Sequence, residues 1–150
     1  MADLRDRSVG YLTNLAGRHF VRELARRLDA IGLSIGHMPV FAALGDGSAM
    51  TQKELAAQAV VEQPTMAATL SRMERDGLVA RLQNPEDARS ALVSLTPAAL
   101  AKVEQLSRVV ADVNGIAVAS LTRAERAEYL RLLGKIIAAL EAADGAPNKD

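Results

Sequence analysis

Residues 51–100 read TQKELAAQAVVEQPTMAATLSRMERDGLVARLQNPEDARSALVSLTPAAL, and this stretch decides the fold. Thr51 with Glu54 three residues on is a capping box, so a short helix starts there and runs over Leu55, Ala56 and Ala59. Val60 to Gln63 interrupts it, and Pro64 suits the first position of a second helix that carries Met66, Leu70 and Met73 on one side. Asp76-Gly77 closes that helix, glycine being the residue that takes a left-handed C-terminal cap. The pattern then turns extended. Leu78–Gln83 and Ser90–Leu95 carry Val79, Leu82, Leu92 and Val93, and Asn84-Pro85-Glu86-Asp87-Ala88 between them is turn chemistry, which predicts a hairpin. Two short helices, a tight connection and a hairpin make a helix-turn-helix with a wing.

Around this segment the sequence is helical. Leu12, Leu15, Ala16, Phe20, Leu24, Leu28 and Ile31 recur at three and four, predicting one amphipathic helix from Leu4 to Ile31 that ends at Gly32. Ser34 is placed to cap a second helix through Leu44, in which Pro39 lies deep enough to kink or tighten the first turn. Thr96-Pro97 predicts the start of a long helix through Val103, Leu106, Val110 and Val113. Thr122 and Glu125 form a second capping box, for a last helix bearing Leu130, Leu133, Ile137 and Leu140. Residues 145–150 lack an apolar anchor and are expected to fray. The fold class is mainly α with a small β-hairpin wing, in one domain of 150 residues: a winged helix-turn-helix over 34–96, helical regions at 1–32 and 97–143, and a flexible tail over 144–150.

Composition limits the chemistry. At 49% apolar and 24% charged, the chain is long enough for a real core. It holds no cysteine, which excludes disulfides, thiol nucleophiles, iron–sulfur ligation and thiol-based sensing and fits a cytoplasmic setting. His19 and His37 stand 18 positions apart with no cysteine to help, so no metal site and no cofactor is expected. Asp3, Arg5, Asp6 and Arg7 stand where a secretory signal would be apolar. The longest stretch free of formal charge, Ala30–Gly45, is 16 residues with three glycines and Pro39, too short for a membrane span. The sequence lacks a GxSxG elbow, a phosphate-cradling glycine loop and HExxH, and its carboxylates are spread along helices, so no enzyme is expected.

The charge balance is even, 18 bases against 18 acids, which is not the usual footprint of a polyphosphate binder. A basic surface must therefore come from placement. On the second helix of the pair, Thr65, Thr69 and Arg72 lie about 100° round from the Met66, Leu70, Met73 stripe and can face outward, with Gln63 at the N-terminal end. Glutamine can pair with adenine, threonine can meet a thymine methyl, and arginine can bond guanine or phosphate. For Arg75, pairing with a neighbouring acid is the preferred reading. Arg89 follows the hairpin turn and is suited to a narrow, electronegative minor groove.

The same segment resembles the MarR family of winged-helix transcriptional regulators. ELA, EQPTM, the MERDGLV closure, Asp87-Ala88-Arg89 in the wing and the following LT match the family pattern in order and spacing. The long first helix, GHMPVFAAL and the two terminal helical segments extend the likeness along nearly the whole chain. The resemblance implies a homodimer in which the first and last two helices of each chain interlock and two winged domains straddle a near-palindromic operator in double-stranded DNA. It implies major-groove contacts by Gln63, Thr65, Thr69 and Arg72, a minor-groove contact by Arg89, and Asp87 holding the wing arginine or a neighbouring base in place. Ala67 and Ala68 stand where many relatives carry polar or basic side chains, which points to lean sequence readout.

The resemblance also implies a small aromatic or anionic effector bound between the dimer helices and the winged domain, with Arg18, His19, Arg22, His37 and Phe41 as candidates. Arg18, Arg22 and Arg26 form a stripe at i, i+4, i+8 whose preferred reading is a solvated face or a row of dimer salt bridges, and His19, beside Phe20 on the mainly apolar side, is more often a hydrogen-bonded packing residue than a ligand, with His37 equally ambiguous. The function expected is a ligand-responsive, homodimeric, sequence-specific repressor. Two other classes stay open: a helical dimerisation or protein-interaction module, and an architectural DNA-binding protein without an effector.

Overall fold

The structure, a computed structural model, describes residues 7–144. The expected frayed tail at 145–150 and the expected helix start at Leu4 lie outside the described residues. The chain divides after Val113 into two compact units.

In the first unit helix α1 covers Val9–Asp29, capped by Ser8, whose side chain accepts the Tyr11 N–H, so the helix expected from Leu4 to Ile31 does not run unbroken through Ser8 and stops two residues early. Leu28 near its end is fully buried. The chain leaves α1 through a Schellman turn in which the Leu33 N–H reaches the Leu28 carbonyl and Gly32 takes φ +70°. The second helix differs from expectation. Ser34 opens a 3-10 turn, Ile35–His37, and helix α2 covers only Met38–Leu44. The shift places Pro39 in the first turn of α2, where its missing N–H has no helical partner to lose, so no kink arises.

Strand β1, Ala49–Thr51, leads directly into helix α3, Gln52–Ala59. Thr51 and Glu54 cap α3 reciprocally as expected: the Glu54 carboxylate accepts the Thr51 N–H at 2.7 Å and Thr51 Oγ1 accepts the Glu54 N–H at 3.2 Å. Helix α4, Gln63–Arg75, follows after a tight turn, then strands β2, Val79–Gln83, and β3, Ala91–Leu95. The hairpin is present, with Val79 opposite Leu95 and Gln83 opposite Ala91. The sequence reading missed β1, which pairs antiparallel to β3, Met50 opposite Val93, and makes a three-stranded sheet of order β1-β3-β2. Val93 on the central strand is fully buried.

The core gathers Leu28, Val40, Phe41, Leu44, Leu55, Met66, Leu70, Met73, Val79 and Val93 from the four helices and the hairpin, with Ala99 from the helix that follows and Met50 of β1 packed against it. It fixes α4 from behind through the expected Met66, Leu70, Met73 stripe. The helix expected to run unbroken from Pro97 is instead two pieces, α5 over Pro97–Leu100 and α6 over Val103–Ala117. At the break the Lys102 ammonium donates to the Ile31 carbonyl at 2.7 Å, tying this turn to the end of α1.

The second unit contains helix α7, Arg123–Asp144. Its capping box is formed as expected, Glu125 accepting the Thr122 N–H at 2.7 Å. Its apolar residues are open: Leu130 is 67% and Leu140 62% exposed.

Candidate nucleic-acid interface

Helix α4 presents one face away from the core. Gln63, Thr65, Ala68, Ser71, Arg72 and Arg75 are exposed along it, and Ala67 is half-buried. Thr69 corrects the sequence reading. It is buried, 8% exposed, and does not share the outward face with Thr65 and Arg72. The helical wheel gives the reason. Thr69 stands about 100° from Leu70 but only about 40° from Met73 and about 60° from Met66, which places it on the edge of the core stripe. Ala68, about 160° from Met66, is the residue that faces out between Thr65 and Arg72.

The N-terminal end of α4 is held from α3. Gln63 is its first residue and Pro64 its second, and the Gln52 side-chain amide donates to Gln63 Oε1 at 3.3 Å. Sequence reasoning did not single out Gln52. The available signal was a glutamine at the first position of both helices of the pair. Between those helices Val60 takes φ +53° and is 80% exposed.

The wing tip is built by side chains bonding backbone. Asp87 accepts the Arg89 N–H on its carboxylate at 2.9 Å, and its carbonyl accepts the Ser90 N–H at 3.0 Å. Asn84 donates to Ser90 Oγ at 2.9 Å and accepts the Glu86 N–H at 3.0 Å. Asp87 therefore positions Arg89 through the main chain, and the arginine side chain is exposed. At the other end, Thr96 Oγ1 donates to the Gly77 carbonyl at 2.7 Å, joining the hairpin base to the end of α4.

Charge placement settles what the even balance left open. Residues 51–96 carry five bases: Lys53, Arg72, Arg75, Arg81 and Arg89. Arg75 pairs with Asp76 at 3.1 Å, as the sequence reading preferred, and Arg81 with Glu74 at 3.2 Å. Among the described residues Lys53, Arg72 and Arg89 form no ion pair, and all three are exposed. A segment with five bases and six acids thus keeps guanidinium groups without an ion pair on the outward face of α4 and at the wing.

The effector candidates do not converge within one chain. Phe41 is 3% exposed and belongs to the core, so it lines no surface; the α2 register that buries Val40 and Leu44 buries it too. His19 is exposed on α1, against the expectation of a packed histidine, because only the last turns of α1 enter the core. Arg18 and Arg22 are likewise exposed, about 15 and 9 Å of helix rise before Leu28. His37 is half-buried, and its Nδ1 accepts the Ser34 N–H at 3.2 Å. Burial holds its imidazole below the usual histidine range, with Asp76 opposing and Arg72 reinforcing the shift.

Comparison with known proteins agrees with this geometry. Residues 33–91 match the MarR family. The chain is 35% identical over 94 residues to the uncharacterized HTH-type transcriptional regulator YwoH of Bacillus subtilis, covering 63% of this chain and 68% of that protein. Among solved structures it is similar to a mutant of MarR from E. coli complexed with operator DNA, with TM-score 0.81, 27% identity, and 89% and 96% of the two chains covered. It is also similar to Bordetella bronchiseptica BpsR, whose DNA binding is regulated by 6-hydroxynicotinic acid, with TM-score 0.78, 26% identity, and 87% and 98% covered.

Proposed function

The chain belongs to the MarR family of DNA-binding transcriptional regulators, and from that premise we propose that it is a homodimeric repressor that places α4 in the major groove and the wing in the minor groove. The observation that carries this reading is the selective pairing of charge. Arg75 and Arg81 are paired with Asp76 and Glu74, whereas Arg72 and Arg89 carry no ion pair and are open to DNA. Gln63 and Thr65 are the base readers, Arg72 reads guanine or grips phosphate, Arg89 enters the minor groove, and Asp87 fixes the wing turn that carries it. Thr69 packs behind them. The operator complex of the E. coli neighbour supports repression by occupancy.

A second copy of the chain is the natural cover for the apolar residues left open on α1 and α7. Val9, Leu12 and Val21 on α1, and Leu130, Ile137 and Leu140 on α7, are each at least 45% exposed. In the dimer the two reading helices enter successive major grooves about 34 Å apart. A small aromatic carboxylate contacting Arg18 and Arg22 on α1 would change that span, and a coupling of about 1–3 kcal/mol is a 5- to 150-fold change in operator affinity. Regulation of BpsR by 6-hydroxynicotinic acid supports this ligand class. With no cysteine in the chain the response is noncovalent. Among the described residues no helix is long and apolar enough to cross a membrane. The regulator acts in the cytoplasm, and no catalytic role belongs to this reading.

Selection of an operator from random duplex DNA, followed by transcription from it with and without small aromatic acids, tests the proposal. Operator-dependent repression relieved by such an acid in the wild type, and no longer relieved in Arg22→Ala, is the expected result. Relief that survives Arg22→Ala removes the effector assignment, and activation from the operator reverses the sign.

A further inference from the structure

The hydrogen bond between the first residues of α3 and α4 points beyond the reading helix itself. Gln52 Nε2 donates to Gln63 Oε1 at 3.3 Å across the helix-turn-helix turn. Gln52 is half-buried at the start of α3, where the Thr51–Glu54 capping box fixes the backbone that carries it. Gln63 is exposed at the start of α4, and Pro64 fixes the backbone beside it. Neither side chain has another hydrogen-bond partner among the described residues. A free glutamine amide can present either end to a base edge, and turning it exchanges donor for acceptor. A neighbour that donates to Oε1 removes that choice once its own amide is held, because a glutamine turned round would accept from Nε2 instead.

We propose that Gln52 is a specificity-determining positioning residue: it holds the Gln63 amide in one orientation, so that Gln63 offers its Nε2 donors and the remaining Oε1 lone pair to a single base, adenine by the match of donor and acceptor. Gln52 keeps a second N–H and its own Oε1. That N–H is free to bond a phosphate oxygen, which can only accept and so holds the Gln52 amide in its donating orientation, linking backbone grip to base reading at the same point of the duplex. This inference rests on the reading of α4 as the major-groove element.

The test is the base preference of full-length protein, measured by selection from random duplex DNA and then by titration of operators changed one position at a time. Wild type, Gln52→Ala, Gln63→Ala and the double variant are compared, with thermal melting to verify folding. Gln52→Ala is expected to lower discrimination by about fivefold or more at one position per half-site, the position that Gln63→Ala also flattens. In the Gln63→Ala background it adds no further loss of discrimination there. Gln52→Glu can only accept, so it draws in Gln63 Nε2 and turns the amide; the base preferred at that position changes, beyond a uniform loss from added negative charge. The inference is overturned if Gln52→Ala lowers affinity equally on every sequence, flattens a different position, or adds fully to Gln63→Ala. It is overturned equally if Gln52→Glu leaves the preferred base unchanged. Absence of any enriched sequence for the wild type overturns the DNA-reading proposal itself, a result distinct from any of these.

Discussion

Val60→Gly should stabilise the protein, although it removes a side chain and adds no new interaction. Three helices of the first unit close with the same backbone geometry. In each, a residue with positive φ precedes one whose N–H returns to a carbonyl five residues back: Leu33 to Leu28, Val61 to Ala56, and Leu78 to Met73. Gly32 and Gly77 occupy the left-handed position in two of them, and Val60 occupies it in the third. A side chain at left-handed φ costs about 1–2 kcal/mol, and β-branching puts valine at the upper end. Because Val60 is 80% exposed, truncation gives up only about 0.5 kcal/mol of burial or less. The freer unfolded chain with glycine offsets roughly another 0.5–1 kcal/mol. The net gain is about 0.5 kcal/mol, or about 1–2 °C in Tm at fixed protein concentration. Val60→Ala is the control, since alanine loses the same side chain and keeps most of the left-handed cost. Urea and thermal unfolding of the three proteins decide the matter. If glycine is no more stable than alanine, the turn is not strained and the reasoning fails.

Arg72→Ala and Arg89→Ala should each weaken operator binding, and removing one phosphate-binding arginine from both halves of the dimer takes about 1.8 off the slope of log K against log salt. Arg75→Ala, already offset by Asp76, should change the slope least, and equal slopes for all three would contradict the charge assignment. Ile137→Asp on α7 should convert dimer to monomer at micromolar concentration in sedimentation, a loss of at least about 100-fold in association, because an unpaired carboxylate cannot be buried cheaply; a dimer that persists would remove α7 from the interface. Acid stability should depend on the two capping boxes. Glu54 and Glu125 are held below the usual carboxylate value by hydrogen bonds from Thr51 and Thr122. Their contribution is therefore complete above the unfolded pKa of ~4.3 and is lost as pH falls through the depressed folded values. Replacing both by glutamine should flatten the pH dependence of unfolding below pH 5, and an unchanged profile would show that the caps do not contribute.

The parts of this fold that could be read in the sequence are those set by local chemistry. Thr51–Glu54 and Thr122–Glu125 announce helix starts, Gly77 announces a stop, and the 84–88 turn announces the hairpin, each within a few residues. What escaped depends on distant partners. β1 is three residues long and exists because β3, some 40 positions later, supplies its hydrogen bonds. The interruption at residues 101–102 has no proline or glycine to mark it, and Lys102 there bonds the distant Ile31 carbonyl. Val60 adopts a conformation that propensity reserves for glycine.

At the site, Arg72, Arg89 and Gln63 were legible as residue types at helical and hairpin positions. Thr69 was misplaced because a residue 40° from the core stripe cannot be told from one 100° away until packing fixes the helix rotation. Phe41 shows the same limit, since its burial is decided by α2 packing into the core. Gln52 acquires its role only when α3 and α4 are set side by side.

An evenly charged chain is proposed to read DNA through a few placed groups doubled by a two-fold axis. Selection of random duplex DNA by the purified protein tests it most directly. Near-palindromic sites with half-site centres about 10 base pairs apart should be enriched. Recovery of no preferred sequence, or of single unpaired half-sites, would contradict it.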